Sequence, residues 1–149
     1  MAYLTVAQLR SRVIMPPADF DELDSSFVQS RLDVGSSYID GRLAKRYATP
    51  FTAPVPEVVL GWLTAIVTPE LYFRRGWDPA SEQGVQITGA ADTAKAEIKE
   101  AADSVTGLWD LPLRQDNPAS GISRGFPLAY SEASPYEWLD VQREAVRER

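Results

Sequence analysis

The chain has no cysteine and no histidine. The first absence removes disulfides, thiol nucleophiles and thiolate metal sites. The second removes the side chain best suited to proton transfer near neutral pH. Serine–histidine, cysteine–histidine and histidine-based zinc constellations therefore cannot be assembled from these 149 residues. Glycine-rich phosphate cradles are missing as well, since neither GxGxxG nor GxxxxGKS/T occurs. No apolar run reaches the length of a membrane span without charge. The opening "MAYLTVAQLRSR" lacks the basic-then-apolar layout of a signal peptide. These absences predict a non-catalytic protein without metal or cofactor, located in the cytoplasm of the producing cell or in an assembly built there.

What is present is enough for a packed core: 44% of the residues are hydrophobic and 24% are charged. The net charge of −6 works against nucleic-acid binding, which is driven mainly by phosphate neutralisation. That charge is uneven. "PPADFDELD", residues 16–24, holds four acids and no base. Residues 26–50 set Arg31, Arg42, Lys45 and Arg46 against Asp33 and Asp40, a local net of +2. Such a contrast is ordinary solvated surface or one half of a charge-matched contact with a neighbouring copy.

Hydrophobic spacing predicts a mainly α protein, a bundle of about four helices followed by an extended C-terminal arm. Thr5 caps a first helix over Val6–Arg12, with Leu9 and Val13 inward. Pro16 and Pro17 then open a loop, "MPPADFDELDSS". A second helix is predicted over Ser26–Tyr47, where Val28, Leu32, Gly35, Ile39 and Leu43 fall on one stripe. Gly35 and Gly41 each weaken it by about 1 kcal/mol relative to alanine. Gly35 lies on the stripe itself, so it marks either simple tolerance or the close approach of another helix.

Pro50, Pro54 and Pro56 force a corner, and Pro56 suits the first turn of a third, central helix over Pro56–Arg75. Pro69 should kink that helix or divide it. Gly76–Ala91 reads as a loop in which "GVQIT" has the alternation of a short strand. A fourth helix follows over Asp92–Val105, with a narrow small-residue face (Ala91, Ala94, Ile98, Ala101, Ala102 and Val105) and Gly107 as its C-cap. The core domain is thus placed at 1–111 and the arm at 112–149. Residues 112–135 hold four prolines and two glycines, yet keep Leu113, Ile122, Phe126, Leu128 and Tyr130. The last stretch, "SPYEWLDVQREAVRER", has a helix start: Ser134 as cap, Pro135 at the first position and Glu137 completing a capping box.

Two clusters invite a chemical reading. "DFDELD" supplies four acids in six residues, but it lacks the central glycine and terminal glutamate of a calcium loop. Charge gathered ahead of a helix explains it better. Arg42, Lys45, Arg46 and Tyr47 form a basic, tyrosine-ended tip that could meet phosphate or a partner, although cations also stabilise a helix C-terminus. Trp62, Tyr72, Phe73 and Trp77 read as core. In the arm, Phe126, Tyr130, Tyr136, Trp138 and Val141 are the candidate interface, because monomeric soluble proteins seldom leave such surface open. Burying each aromatic contributes about 1.5–3 kcal/mol before ordering costs.

The order of these features resembles a known family. "YLT..QLR.R" at the start, Ser37-Tyr38-Ile39-Asp40-Gly41-Arg42-Leu43, then Arg46-Tyr47, Pro50, Val55-Pro56 and Leu71-Tyr72-Phe73-Arg74 are similar to the head–tail connector proteins of Mu-like and lambdoid tailed phages. The stretch from Ala94 to Leu111 also looks like the family's last core helix and following turn. The resemblance covers about residues 2–113, with the Gly76–Ala91 loop longer than the pattern. It implies a structural virion protein at the capsid vertex: a dodecameric ring of adaptor copies beneath the portal protein, extending the DNA channel and meeting a tail-completion or tail-terminator protein. DNA would pass without sequence-specific binding, and an acidic wall would keep phosphate from sticking. A DNA-binding packaging or regulatory protein using the Arg42–Tyr47 tip is the competing expectation.

Overall fold

The computed structural model describes residues 2–103, 108 and 110–114. Among these residues five helices follow one another: α1 (Val6–Arg12), α2 (Pro17–Asp21), α3 (Ser25–Leu43), α4 (Glu57–Arg74) and α5 (Glu82–Asp103). The described residues contain no strand, only an isolated antiparallel bridge between Tyr47 and Leu113. The fold is the expected mainly α bundle. The arm beyond Arg114, its terminal helix, Val105 and the Gly107 cap lie outside the described residues.

α1 begins as the sequence predicts. The Thr5 hydroxyl accepts from the Gln8 N–H at 3.3 Å, and the Gln8 side chain accepts from the Thr5 N–H at 2.9 Å. The expected loop after it contains α2 instead. Pro17 occupies the first turn, where its missing N–H is no loss and its fixed φ is helical, and the short helix buries Phe20.

α3 starts at the Asp24 cap, whose carboxylate accepts from the Ser26 N–H at 2.9 Å. Its stripe of Val28, Leu32, Gly35, Ile39 and Leu43 is buried throughout. Gly35 is the point of closest approach to α4: a methyl there would stand 2.7 Å from Leu63 Cδ1 and 3.3 Å from Val67 Cγ2. Gly41 faces open space. α3 ends at Leu43, earlier than the expected Tyr47, because Tyr47 is drawn into the bridge with Leu113.

α4 is the central helix and packs against both α3 and α5, most extensively against α5. Pro56 stands at its N-cap rather than in its first turn. Pro69 does not divide it. The helix runs unbroken from Glu57 to Arg74, with Val67, Thr68, Pro69 and Leu71 all buried around the missing hydrogen bond. Packing on both sides outweighs one lost backbone donor.

The Gly76–Ala91 loop and its strand are corrected: only Gly76–Ser81 is loop, and "GVQIT" belongs to α5. The Ser81 hydroxyl starts the helix by accepting from the Gly84 N–H at 3.2 Å. Gly84 is there for space, since a Cβ would lie 2.4 Å from the Pro79 carbonyl oxygen and 2.7 Å from Trp77 Cη2. Farther along, Ala91, Ala94, Ile98, Ala101 and Ala102 form the buried small-residue face. The Trp62 indole N–H donates to Glu97 at 2.7 Å and fixes α4 to α5.

Candidate functional site

The chain after α3 forms a hydrogen-bonded corner. α3 ends in a turn in which the Tyr47 N–H still reaches the Leu43 carbonyl at 2.8 Å. That turn carries the Tyr47 ring fully inside. There its phenol donates to the Ala101 carbonyl of α5 at 3.2 Å and accepts from the Leu108 N–H at 2.8 Å. On the backbone, Ala48 N–H donates to the Pro112 carbonyl at 2.9 Å and Arg114 N–H to the Arg46 carbonyl at 3.0 Å. Leu111 is buried beside them. Residues 46–48 and 112–114 are thus paired, so the chain leaves the core from a fixed point.

The N-terminus closes the other side of this corner. Tyr3 N–H donates to the fully buried Ser36 hydroxyl at 3.2 Å. Its phenol donates to Asp40 and accepts from the Phe51 N–H. Burial and the hydrogen bond to Asp40 both push the Tyr3 phenol above its ordinary range. The Tyr3 and Phe51 rings lie 5.8 Å apart.

The four residues of the basic tip are not gathered on one face. Arg42 is exposed and lies 5.5 Å from the Tyr38 ring. Lys45 is exposed and pairs with Asp103 at 2.7 Å, which holds the Asp103 carboxyl below its usual range. Arg46 is 2% exposed, its guanidinium 5.7 Å from the Tyr47 ring, and Tyr47 is buried. Only Arg42 and Lys45 therefore present charge outward. Of the interface candidates in the arm, Phe126, Tyr130, Tyr136, Trp138 and Val141 all lie outside the described residues.

The acidic stretch is spent on ion pairs. Arg75 meets both Asp19 and Glu22, and Arg10 meets Asp21 at 2.5 Å. Asp24 caps α3. Asp33 accepts from Gln29 at 3.4 Å, and Asp40 serves Tyr3. Among the described residues no group of three acids could hold a metal ion. The aromatics of α4 are a partial correction: Trp62 is core, Tyr72 and Trp77 are half-buried, and Phe73 is exposed. The Tyr72 and Trp77 rings lie 5.2 Å apart, tilted 56° to one another, beside Gly84 at the turn into α5.

A second feature is one that the sequence analysis did not anticipate. α4 turns Gly61, Thr64, Ala65, Thr68 and Tyr72 toward α5, which answers with Gln83, Gln86, Ile87 and Ala90. Both sets repeat at helical spacing, and the small side chains among them, Gly61, Thr64, Ala65, Thr68 and Ala90, leave a trough of about 490 Å³. Arg12 and Ile14 form its outer wall. Ile14 is 85% exposed, its carbonyl accepting from the Tyr72 phenol. Beyond Tyr72 the trough continues into a second hollow lined by Met15, Pro16, Asp19, Arg75 and Trp77. The run of small residues on α4 was the available signal.

The sequence profile of the family described as "Bacteriophage Mu, Gp36" matches residues 3–120. No curated protein and no solved structure matches the chain.

Proposed function

The chain belongs to the bacteriophage Mu Gp36 family, and from that premise we propose that it is a structural virion protein, a head–tail adaptor. In this reading copies form a dodecameric ring under the portal protein, extend the DNA channel and offer a surface to the tail-completion or tail-terminator protein. The protein is assembled in the host cytoplasm and ends at the capsid vertex, and it catalyses no reaction.

One observation carries the reading. The residues that give the chain its family-like sequence, Tyr3, Asp40, Tyr47 and the corner behind them, make contacts within the core. They converge where residues 112–114 are paired to residues 46–48. A protein so built holds a rigid body and dispatches its C-terminal chain from a set position, as an adaptor needs to reach a neighbour. Phe126, Tyr130, Tyr136, Trp138 and Val141 are then the residues that meet the portal or the next copy.

The test is association with purified portal protein, followed by light scattering and electron microscopy. The full chain should form a ring-shaped complex. A chain lacking residues 115–149 should keep its helical circular dichroism but not attach. Normal docking by the shortened chain would overturn the role of the arm, and failure of the full chain to associate would overturn the adaptor reading. Tight duplex-DNA binding that weakens steeply with salt would favour the packaging or regulatory alternative.

A further inference from the structure

The trough between α4 and α5 is open along two faces of regular helical spacing. Its α4 side is built mainly of small residues, Gly61, Thr64, Ala65 and Thr68, and its α5 side mixes Ile87 and Ala90 with Gln83 and Gln86. Its wall carries the exposed Ile14, and its ends are Gly61 on one side and Trp77 on the other. From Gly61 to Tyr72 it spans about 16 Å of α4, the length of three helical turns. We propose that this trough is the seat of the chain's own residues 134–149 while no partner is bound.

The occupant is argued from the chain itself. Residues 134–149 carry a helix-start pattern at Ser134, Pro135 and Glu137. At helical spacing, Trp138, Val141 and Ala145 fall on one side, flanked by Leu139 and Val146. Asp140, Glu144 and Glu137 fall on the opposite side. That is one apolar face of about 12 Å, with a single large anchor, short enough to lie within a trough whose α4 side is built of small residues.

Reach agrees. The described chain ends at Arg114, paired with Arg46 beside Ala101 of α5. Ala90 and Gln83 in the trough lie about 17 and 27 Å from Ala101 along α5, at 1.5 Å per residue. The connection formed by residues 115–134 extends to at most about 66 Å. A tether of this length holds its end at an effective concentration in the millimolar range, far above micromolar encounters between copies. The unassembled chain therefore covers its own apolar trough, and assembly must free residues 134–149 first. The seat concerns the chain alone, and only its release on assembly rests on the adaptor reading.

The absence of cysteine makes the test direct. The full chain carrying Gln86→Cys and Val141→Cys is oxidised at low micromolar concentration and resolved on a non-reducing gel. A matched pair, Ser30→Cys with Val141→Cys, places the first thiol on the exposed side of α3 as the background. The expected result is a monomeric, internally bridged species enriched at least about tenfold over that background, and lost when Trp138→Asp is added. Bridging no better than background would overturn the proposal. So would disulfide-linked dimers, which would give the trough to a second copy.

Discussion

The corner at Tyr47 and the trough between α4 and α5 lie at opposite ends of α5 and obey opposite rules. At the corner the tyrosine ring, the Arg46 side chain and the Ser36 hydroxyl are turned inward, and only Arg42 and Lys45 stay outside. The trough is built from residues with nothing to announce them, yet it is left open. Charge and aromatic density in a sequence thus mark where a fold is braced as readily as where it binds. Small side chains at helical spacing can mark the surface that waits for something.

The sharpest way to break this contrast is to remove the brace. Tyr47→Ala should cost about 3–5 kcal/mol, the range for emptying a buried aromatic position. The melting temperature should drop by about 10 °C or more, as read by calorimetry. Tyr47→Phe keeps the ring but strands the Leu108 N–H and the Ala101 carbonyl, and should cost about 1–3 kcal/mol. A Tyr47→Ala protein as stable as the parent would mean that the corner is not what holds the core together.

Two glycines on one helix give a smaller, two-sided test. Gly35→Leu must displace Leu63 and Val67 in a full core and should destabilise by about 1–3 kcal/mol in denaturant unfolding. Gly41→Ala meets open space and should stabilise α3 by about 0.5–1 kcal/mol. Equal effects at both positions would contradict the close approach of α3 and α4.

The smallest effects are those of pH. Asp24, Glu57 and Asp103 are held below their usual range by the Ser26 amide, Arg12 and Lys45 respectively. Depressed acids stabilise above their unfolded values, near 4, and lose that contribution as pH falls through the folded ones. Tyr3 has the opposite sign: its raised phenol favours the folded state below about pH 10, and the advantage fades as pH climbs beyond that. With no histidine, the melting temperature should be nearly flat between about pH 5 and 9. It should fall on both flanks, and Tyr3→Phe should flatten only the alkaline one.

Much of the core was legible because it rests on periodicity. The α3 stripe, the Thr5 cap and the alanine face of α5 all follow from the 3.6-residue repeat and capping chemistry. What escaped was set by tertiary contact. Pro17 reads as a breaker until Phe20 has a core to enter. Gly84 and Gly89 read as loop until Trp77 and Pro79 are seen pressed against Gly84. Pro69 reads as a break until packing keeps α4 continuous through it. Arg46 and Tyr47 read as a surface tip because nothing local reveals that residues 112–114 return to cover them. The trough left only a faint trace, the small residues Gly61, Thr64, Ala65 and Thr68 at helical spacing, since its lining is defined by which faces α4 and α5 leave uncovered.

The central claim is that the family-like corner is an internal brace that fixes where the chain leaves the core. Residue-resolved amide hydrogen exchange on the full chain tests it most directly, at Ala48, Leu108 and Arg114. The account predicts protection at all three comparable to the middle of α3, because their N–H groups are bonded to Pro112, Tyr47 and Arg46. Exchange at the unprotected rate there, with α3 and α4 still protected, would contradict it.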